Sequence, residues 1–127
     1  MMSKPAEIKA TLSEYRSATS AFYWNDVEKV LDATFAPDAL VRLCHPFGDL
    51  IGPQAFFDTC LRPLHIALPD LERRDLIVMA GTTPEGQDWI GTMGNYMGTS
   101  LGPFLGIPPN GHLTHMRYQE FFRVEEG

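Results

Sequence analysis

The strongest constraint on the fold lies in the segment from Trp89 to Arg123. It holds two extended runs, DWIGTMGNYMGTS and HLTHMRYQEFFRV, and the connection between them, LGPFLGIPPNG, is rich in glycine and proline. No helix can cross that connection, because proline lacks a backbone N–H and clashes with the preceding turn. The segment therefore predicts a long antiparallel pair of strands.

The second run places a carboxylate among apolar neighbours. Successive strand residues point to opposite faces, so one face carries Met116, Tyr118, Glu120, Phe122 and Val124. The opposite face carries His115, Arg117, Gln119, Phe121 and Arg123. Because a buried carboxylate without a partner is costly, Glu120 either lines a pocket or pairs with an arginine or hydrogen-bond donor in the core. Arg117 and Arg123 are predicted to point outward.

The first part of the chain predicts helices. Apolar residues at spacings of three and four indicate one amphipathic helix from Pro5 onward; they are Ile8, Leu12, Tyr15, Thr19 and Phe22. A short second helix is predicted from Asn25 to Phe35. A third begins at Pro53 and ends near residue 66, with a kink or split at Pro63.

The order of elements indicates the fold class. Strands are predicted near residues 39–45, 71–81, 87–99 and 112–124, with one helix between the first and second strands. Two helices in succession followed by strands joined through hairpins argue against a doubly wound parallel sheet. The sequence predicts an α+β fold with a curved antiparallel sheet packed on N-terminal helices. Glu125 to Gly127 has the character of a hairpin turn, so a final strand is expected to be missing.

Composition narrows the class of protein. With 127 residues and 44% hydrophobic content, the chain suits a single domain covering residues 1–127. The formal net charge of -6 and the lack of a Lys/Arg cluster argue against nucleic acid as a partner. No secretory leader or membrane span is predicted, so we expect a soluble, cytoplasmic protein. Cys44 and Cys60 match no metal or redox spacing and are predicted to be buried free thiols.

Several motifs, taken in order, resemble one family. They are the Gly102–Gly111 segment, the Met116–Arg123 run, Pro63-Leu64, the Ala67–Leu71 segment, and Trp89 with Tyr96-Met97-Gly98. Together they cover roughly residues 35–127 and resemble the SnoaL-like polyketide cyclase branch of the nuclear transport factor 2-like superfamily. The resemblance implies a cone-shaped domain, in which a curved sheet wraps around helices and encloses a ligand cavity, and usually a homodimer across the sheet.

The resemblance also limits what can be transferred to this chain. In characterised cyclases the acid/base aspartate lies on a final strand beyond the point that Gly127 reaches, so no residue here inherits that role. Relatives of this branch can carry two such domains in tandem, which allows this chain to be the first half of a longer protein.

Two residues are candidates for acid/base chemistry. An apolar surround raises the pKa of a carboxyl group toward the range useful for proton transfer, which makes Glu120 the first candidate. His45 ends the first predicted strand at the expected cavity mouth, and an imidazole titrates near neutral pH. A capping or core histidine is the alternative. We expect Glu120 and His45 to border one internal pocket.

Further residues are candidates for contact with a flat apolar ligand, or equally for the core. They are Trp89, Tyr96, Tyr118, Met93, Met116 and Phe104. His112 and His115 fall on opposite strand faces, so no metal site is predicted. The string Gly98-Thr99-Ser100-Leu101-Gly102 resembles a nucleophile elbow, but the prolines that follow forbid the helix which that mechanism needs.

The favoured function is proton transfer with aldol cyclisation on a small hydrophobic carbonyl compound. A base removes a proton next to a carbonyl and a donor stabilises the enolate, so no metal or organic cofactor is expected. The alternative is a non-catalytic ligand-binding or dimerisation module. A homodimer is expected in either case, through the convex sheet face or by pairing of an unpaired edge strand.

Overall fold

A computed structural model describes residues 4–125 and confirms the α+β prediction. The helices are α1 (Lys4–Ala10), α2 (Ser13–Ala21), α3 (Trp24–Thr34), α4 (Pro53–Phe56) and α5 (Arg62–Ala67), with a π-helical turn at Phe57–Leu61 between the last two. The strands are β1 (Leu40–Arg42), β2 (Asp49–Ile51), β3 (Glu72–Thr82), β4 (Asp88–Thr99) and β5 (Leu113–Val124).

The N-terminal helix is split in two, so the prediction of a single helix was wrong. The backbone N–H groups of Thr11 and Leu12 bond to carbonyls only three residues back, at 3.1 Å each. This tighter turn ends α1, and Leu12 leaves the helical region with φ -97° and ψ 4°. The apolar stripe nevertheless stays buried in full, because all five of its members belong to the core.

The helical segment from Pro53 to Ala67 is interrupted, as Pro63 predicted. The irregularity is the π-helical turn at Phe57–Leu61, which directly precedes the α5 turn that holds Pro63. Proline cannot supply the N–H that continues a regular ladder, and a wider turn is a common response. This turn carries Cys60, which is partly buried and packs against the core.

The predicted long pair of strands is confirmed. Strands β3, β4 and β5 form one antiparallel sheet in that order. The register between β4 and β5 is regular throughout, from Asp88 opposite Val124 to Thr99 opposite Leu113. Ile90, Tyr96 and Tyr118 are buried on the face that packs on the helices, here called the inner face. The opposite side of the three strands is called the outer face.

A bulge in β3 changes which residues face inward. The register with β4 shifts between Asp75 and Ile77, so Leu76 is the extra residue. Before the bulge, Arg73 and Asp75 lie opposite inner-face residues of β4. After it, Val78 and Ala80 do so. Strict alternation would have placed the two pairs on opposite faces, and the bulge brings both inward.

The first predicted strand is shorter than expected and belongs to a different sheet. β1 pairs only with β2, in a separate two-stranded sheet. The chain turns at His45, where Pro46 has no N–H to offer a neighbouring strand and the Phe47 N–H bonds to the Cys44 carbonyl at 3.0 Å. Cys44 is therefore exposed rather than buried, although both cysteines are free, as predicted.

At the C-terminal end, β5 is the last strand of the described part and pairs only with β4. The predicted turn character of Glu125 to Gly127 falls mostly outside the described residues, which end at Glu125. Among residues 4–125, no helix has the length and apolar character to span a membrane.

Candidate functional site

A buried arginine forms the centre of the inner face. Arg73 is 2% exposed, yet its charge is fully occupied. Its Nη1 and Nη2 atoms donate to Glu120 Oε1 at 2.9 Å and Oε2 at 3.0 Å, a bidentate pair. Its Nε donates to Asp75 Oδ1 at 3.1 Å. Arginine pairing, which the sequence left open for Glu120, is therefore what the structure shows.

Three hydroxyl groups complete the contacts of this guanidinium. Nη1 also donates to the Tyr15 hydroxyl at 2.9 Å and to the Tyr96 hydroxyl at 3.2 Å, and Nη2 donates to Thr92 Oγ1 at 3.4 Å. The guanidinium carbon lies 3.9 Å from the ring centroid of Tyr118, within cation–π range. Arg73 thus has five N–H groups and six oxygen acceptors around it.

Asp75 joins a second arginine to the first. It accepts from Arg73 and also from Arg16 Nε at 2.7 Å, while the Tyr118 hydroxyl donates to its Oδ1. We refer to these eight residues as the Arg73 cluster: Arg73, Glu120, Asp75, Arg16, Tyr15, Tyr96, Tyr118 and Thr92. Two arginines and two carboxylates cancel in formal charge. Among the described residues, no buried side-chain nitrogen or oxygen lacks a partner.

A glycine makes the Tyr118 contact possible. Asp75, Gly94 and Tyr118 lie directly opposite one another across the three strands. A Cβ atom at Gly94 would overlap the Arg74 carbonyl and the Tyr118 hydroxyl. Only glycine leaves the path across β4 open, so that a side chain of β5 can bond to one of β3.

Glu120 faces inward, as strand alternation predicted. Its side chain is 20% exposed, whereas Arg117 and Arg123 are exposed on the outer face. Burial raises the pKa of the Glu120 carboxyl, and this outweighs the opposing attraction to Arg73. Glu120 is therefore a stronger base than an ordinary carboxylate, and it is held in a fixed orientation.

Cys60 also lies close to this carboxylate. Burial, together with the charge of Glu120, raises the pKa of the Cys60 thiol to about 11. The thiol stays protonated near neutral pH, which makes it a poor nucleophile. Both residues are only partly buried, whereas Arg73 behind them is inaccessible. Glu120 and Cys60 thus mark the side from which a ligand can reach the cluster.

The structure does not bring His45 to Glu120. His45 lies in the exposed turn after β1 and belongs to no part of the Arg73 cluster. Its expected position at the end of a long strand was wrong, because the chain turns there. The surface has a cleft of about 620 Å³ beside α1 and one of about 750 Å³ where α2 meets α3. Neither His45 nor Glu120 lines either of these clefts.

The ligand-contact candidates divide into three groups. Tyr96 and Tyr118 belong to the cluster, and Met116 shares their face but is 37% exposed. Trp89 and Met93 alternate with the buried Ile90 and Thr92 and therefore lie on the outer face. These two cannot share an inner-face pocket with Tyr96, because an odd number of residues separates them in register.

Phe104 forms the third group. It lies in the loop between β4 and β5, is partly buried, and packs against Phe47 with ring centroids 6.4 Å apart. This aromatic pair belongs to the loops. Around Glu120 the interior is instead filled by the rings of Tyr15, Phe35 and Phe122, whose centroids lie 5.7–5.9 Å apart.

Sequence reasoning missed five members of the cluster: Arg73, Asp75, Arg16, Tyr15 and Thr92. Only Tyr15 had been placed, as a core residue of the first helix. The alternation of Arg73 and Asp75 within a strand was a usable signal, because two charged residues two positions apart share a face. Within residues 4–125, no group of three or more His, Cys, Asp or Glu side chains is arranged to hold a metal ion.

Comparison with known proteins supports the fold. No family profile matches this sequence, and no curated protein is significantly similar to it. Solved structures do match. AclR, a candidate hydroxylase from Streptomyces galilaeus, has a TM-score of 0.73 and 21% identity over 96% of this chain and 82% of its own. A candidate SnoaL-like polyketide cyclase from Jannaschia sp. CCS1 has a TM-score of 0.72 and 22% identity over 100% of this chain and 83% of its own.

IdmH, a candidate polyketide cyclase from Streptomyces antibioticus, has a TM-score of 0.73 and 20% identity over 95% of this chain and 85% of its own. At these identities the likeness concerns the fold. The order of elements, the curved antiparallel sheet and these three matches agree with the resemblance seen in the sequence motifs. The chain has the SnoaL-like fold of the nuclear transport factor 2-like superfamily.

Proposed function

We propose that this protein binds a small hydrophobic carbonyl compound and moves a proton on it without a cofactor, as a SnoaL-like cyclase would. The observation that carries the proposal is the state of Glu120. Its carboxylate is held by both terminal nitrogens of Arg73, is 20% exposed, and has Oε1 bonded to Arg73 alone. A carboxylate oxygen has two lone pairs, so Oε1 keeps one for a substrate proton.

The reaction needs only this base and a donor. Glu120 takes a proton from the carbon next to a carbonyl, and the electron pair of that C–H bond forms the enolate. The enolate carbon then bonds to a second carbonyl carbon of the same molecule. The proton returns from Glu120 to the new alkoxide oxygen, so the product is an isomer of the substrate. General base catalysis of this kind contributes about 10²- to 10⁴-fold.

The surroundings of Glu120 indicate which other residues contact the ligand. Met116 and Tyr118 share its face of β5, and we assign them to ligand contact. His45, Trp89, Met93 and Phe104 have no role in this mechanism. The fold supports the same class of function, since two of the three matching structures are candidate polyketide cyclases.

A simple ketone tests the proposal. β-Tetralone is flat and hydrophobic and has acidic protons next to its carbonyl, and NMR in D₂O follows their replacement by deuterium. We expect the protein to accelerate this exchange and Glu120→Gln to slow it by about 10²-fold or more, because the amide keeps the shape but is not a base. Glu85→Gln, in the exposed β3–β4 turn, is the matched control and should leave the rate unchanged. Equal rates for the wild type and Glu120→Gln would refute the assignment.

One observation favours the non-catalytic alternative, a dimerisation module. The outer face exposes four large apolar side chains: Leu76 (59%), Ile77 (48%), Met79 (56%) and Phe121 (67%). Contiguous apolar surface of this kind marks interaction sites, and we propose that a second copy of the chain covers it. Under this alternative the protein associates but leaves β-tetralone exchange at the rate of buffer.

A further inference from the structure

Tyr96 differs from the other two tyrosines of the cluster in what its hydroxyl donates to. The Tyr118 hydroxyl donates to Asp75, and the Tyr15 hydroxyl donates to Glu120 Oε2 at 3.5 Å. The Tyr96 oxygen accepts from Arg73 Nη1 at 3.2 Å, and no residue in the described part of the chain accepts its hydrogen. Tyr96 is 4% exposed, so bulk water does not readily supply the acceptor.

The contact with Arg73 strengthens this donor. A hydroxyl that accepts a bond from a cation becomes a better donor through its own hydrogen, because hydrogen bonds in a chain polarise one another. Burial and the charge of Glu120 raise the pKa of the Tyr96 phenol, so the group remains an intact O–H across the pH range in which proteins work. Tyr96 is a neutral donor that faces no acceptor.

The position of this donor suits the proposed base. One nitrogen, Arg73 Nη1, contacts both the Tyr96 oxygen at 3.2 Å and Glu120 Oε1 at 2.9 Å, so the two oxygens are at most about 6 Å apart. A carbonyl oxygen and the carbon that loses its proton are two bonds apart. A single carbonyl compound can therefore contact both residues at about 3 Å each.

Building on the proposed function, we propose that Tyr96 is a second catalytic residue, which donates its hydroxyl hydrogen to the substrate carbonyl oxygen. As Glu120 removes the adjacent proton, the carbonyl oxygen gains the negative charge and the Tyr96 O–H bond stabilises it. The cluster also defines the substrate class. Its two arginines are already neutralised by two carboxylates, so the site suits an uncharged carbonyl compound rather than a carboxylate.

Tyr96→Phe removes only this hydroxyl and gives the first test. We expect kcat for β-tetralone exchange to fall by about 10²- to 10³-fold, as when one oxyanion donor is lost, while KM changes by less than about twofold. Tyr23→Phe makes the same chemical change at a side chain that is 70% exposed and should leave both constants unchanged. A loss of less than about threefold in kcat for Tyr96→Phe would overturn the proposal.

A second test does not depend on turnover. In the Glu120→Gln background, 2-naphthol serves as an oxyanion probe, because its fluorescence reports the ionised fraction of the bound molecule. We expect that fraction to fall about tenfold or more when Tyr96→Phe is added. If the wild type shows no exchange but the naphtholate depends on Tyr96, the proposed reaction is wrong and the donor assignment stands. If the ionised fraction is unchanged, the donor assignment is wrong whatever the enzyme does.

A label at position 96 keeps the test decisive if Tyr96→Phe does not fold. 3-Fluorotyrosine, placed at this position by codon suppression, preserves the hydroxyl and nearly preserves the shape of the ring. Its ¹⁹F resonance should shift on addition of 2-naphthol, whereas the same label at Tyr23 should not respond. An unresponsive label at position 96 under saturating probe would contradict contact between this hydroxyl and the ligand.

Discussion

The two faces of the three-stranded sheet reverse the usual distribution of residues. The inner face buries an arginine that is 2% exposed with two carboxylates, whereas the outer face exposes Ile77, Met79 and Phe121. Soluble proteins generally do the opposite. The difference shows that partners decide whether a charge can be buried. Arg73 is tolerated inside because every one of its N–H groups has an acceptor, and the outer apolar residues remain exposed because the described chain offers nothing to cover them.

Removing the central cation breaks the inner face most severely. We expect Arg73→Met to lower the free energy of unfolding by about 3–5 kcal/mol, because Glu120 then loses its counter-ion while Asp75 keeps only Arg16 and Tyr118. Urea denaturation measures the loss. The double variant Arg73→Met/Glu120→Met should recover part of it, since an apolar pair leaves no unpaired charge. A single-variant loss of less than about 1 kcal/mol would contradict the view that this pair organises the interior.

Filling the gap between the strands tests the inner face at a second point. We expect Gly94→Ala to lower the free energy of unfolding by about 1–3 kcal/mol, because the new methyl group collides with the Arg74 carbonyl and the Tyr118 hydroxyl. Gly81→Ala is the matched control, since a Cβ atom there meets nothing within 4 Å. It should be neutral or slightly stabilising in the same denaturation experiment. Equal losses in the two variants would show that glycine at 94 serves no packing purpose.

A charge on the outer face should change association and leave stability almost intact. Ile77→Lys is expected to alter the free energy of unfolding of the monomer by no more than about 0.5 kcal/mol, since Ile77 is 48% exposed. In light scattering it should shift the proposed homodimer toward monomer. Ile66→Lys introduces the same charge on α5, at a residue that is 61% exposed, and should not shift it. A wild type that is monomeric at tens of micromolar would refute the homodimer.

Much of the fold could be predicted from local patterns. The Gly/Pro-rich connection indicated the β4–β5 pair, and alternation indicated that Glu120 faces inward and Arg117 outward. Such inferences succeed because side-chain direction in a regular strand follows from position alone. The same rule could have placed Trp89 and Met93 on the outer face, because they lie an odd number of positions from Tyr96. Residue type suggested a pocket, and parity excluded a shared one.

The site itself depended on features that residue patterns do not specify. Arg73 meets Glu120 only because the strand order brings β3 and β5 to either side of β4, which is a tertiary fact. The break between α1 and α2 leaves the apolar spacing unchanged, so periodicity could not detect it. His45 was placed at the end of a strand because its apolar neighbours alternate, although Pro46 directly after it is a turn signal. In this instance local chemistry outweighed pattern.

The β3 bulge separates the length of the chain from its composition. Leu76 is 59% exposed, so most substitutions there should be tolerated. Its presence as a residue cannot be dispensed with, because deleting it would rotate one half of β3 by a face and turn either Arg73 and Asp75 or Val78 and Ala80 toward solvent. A variable position can thus be constrained by count alone. Descendants of this sequence should vary freely in which amino acid occupies position 76 and hardly at all in the number of residues between Asp75 and Ile77.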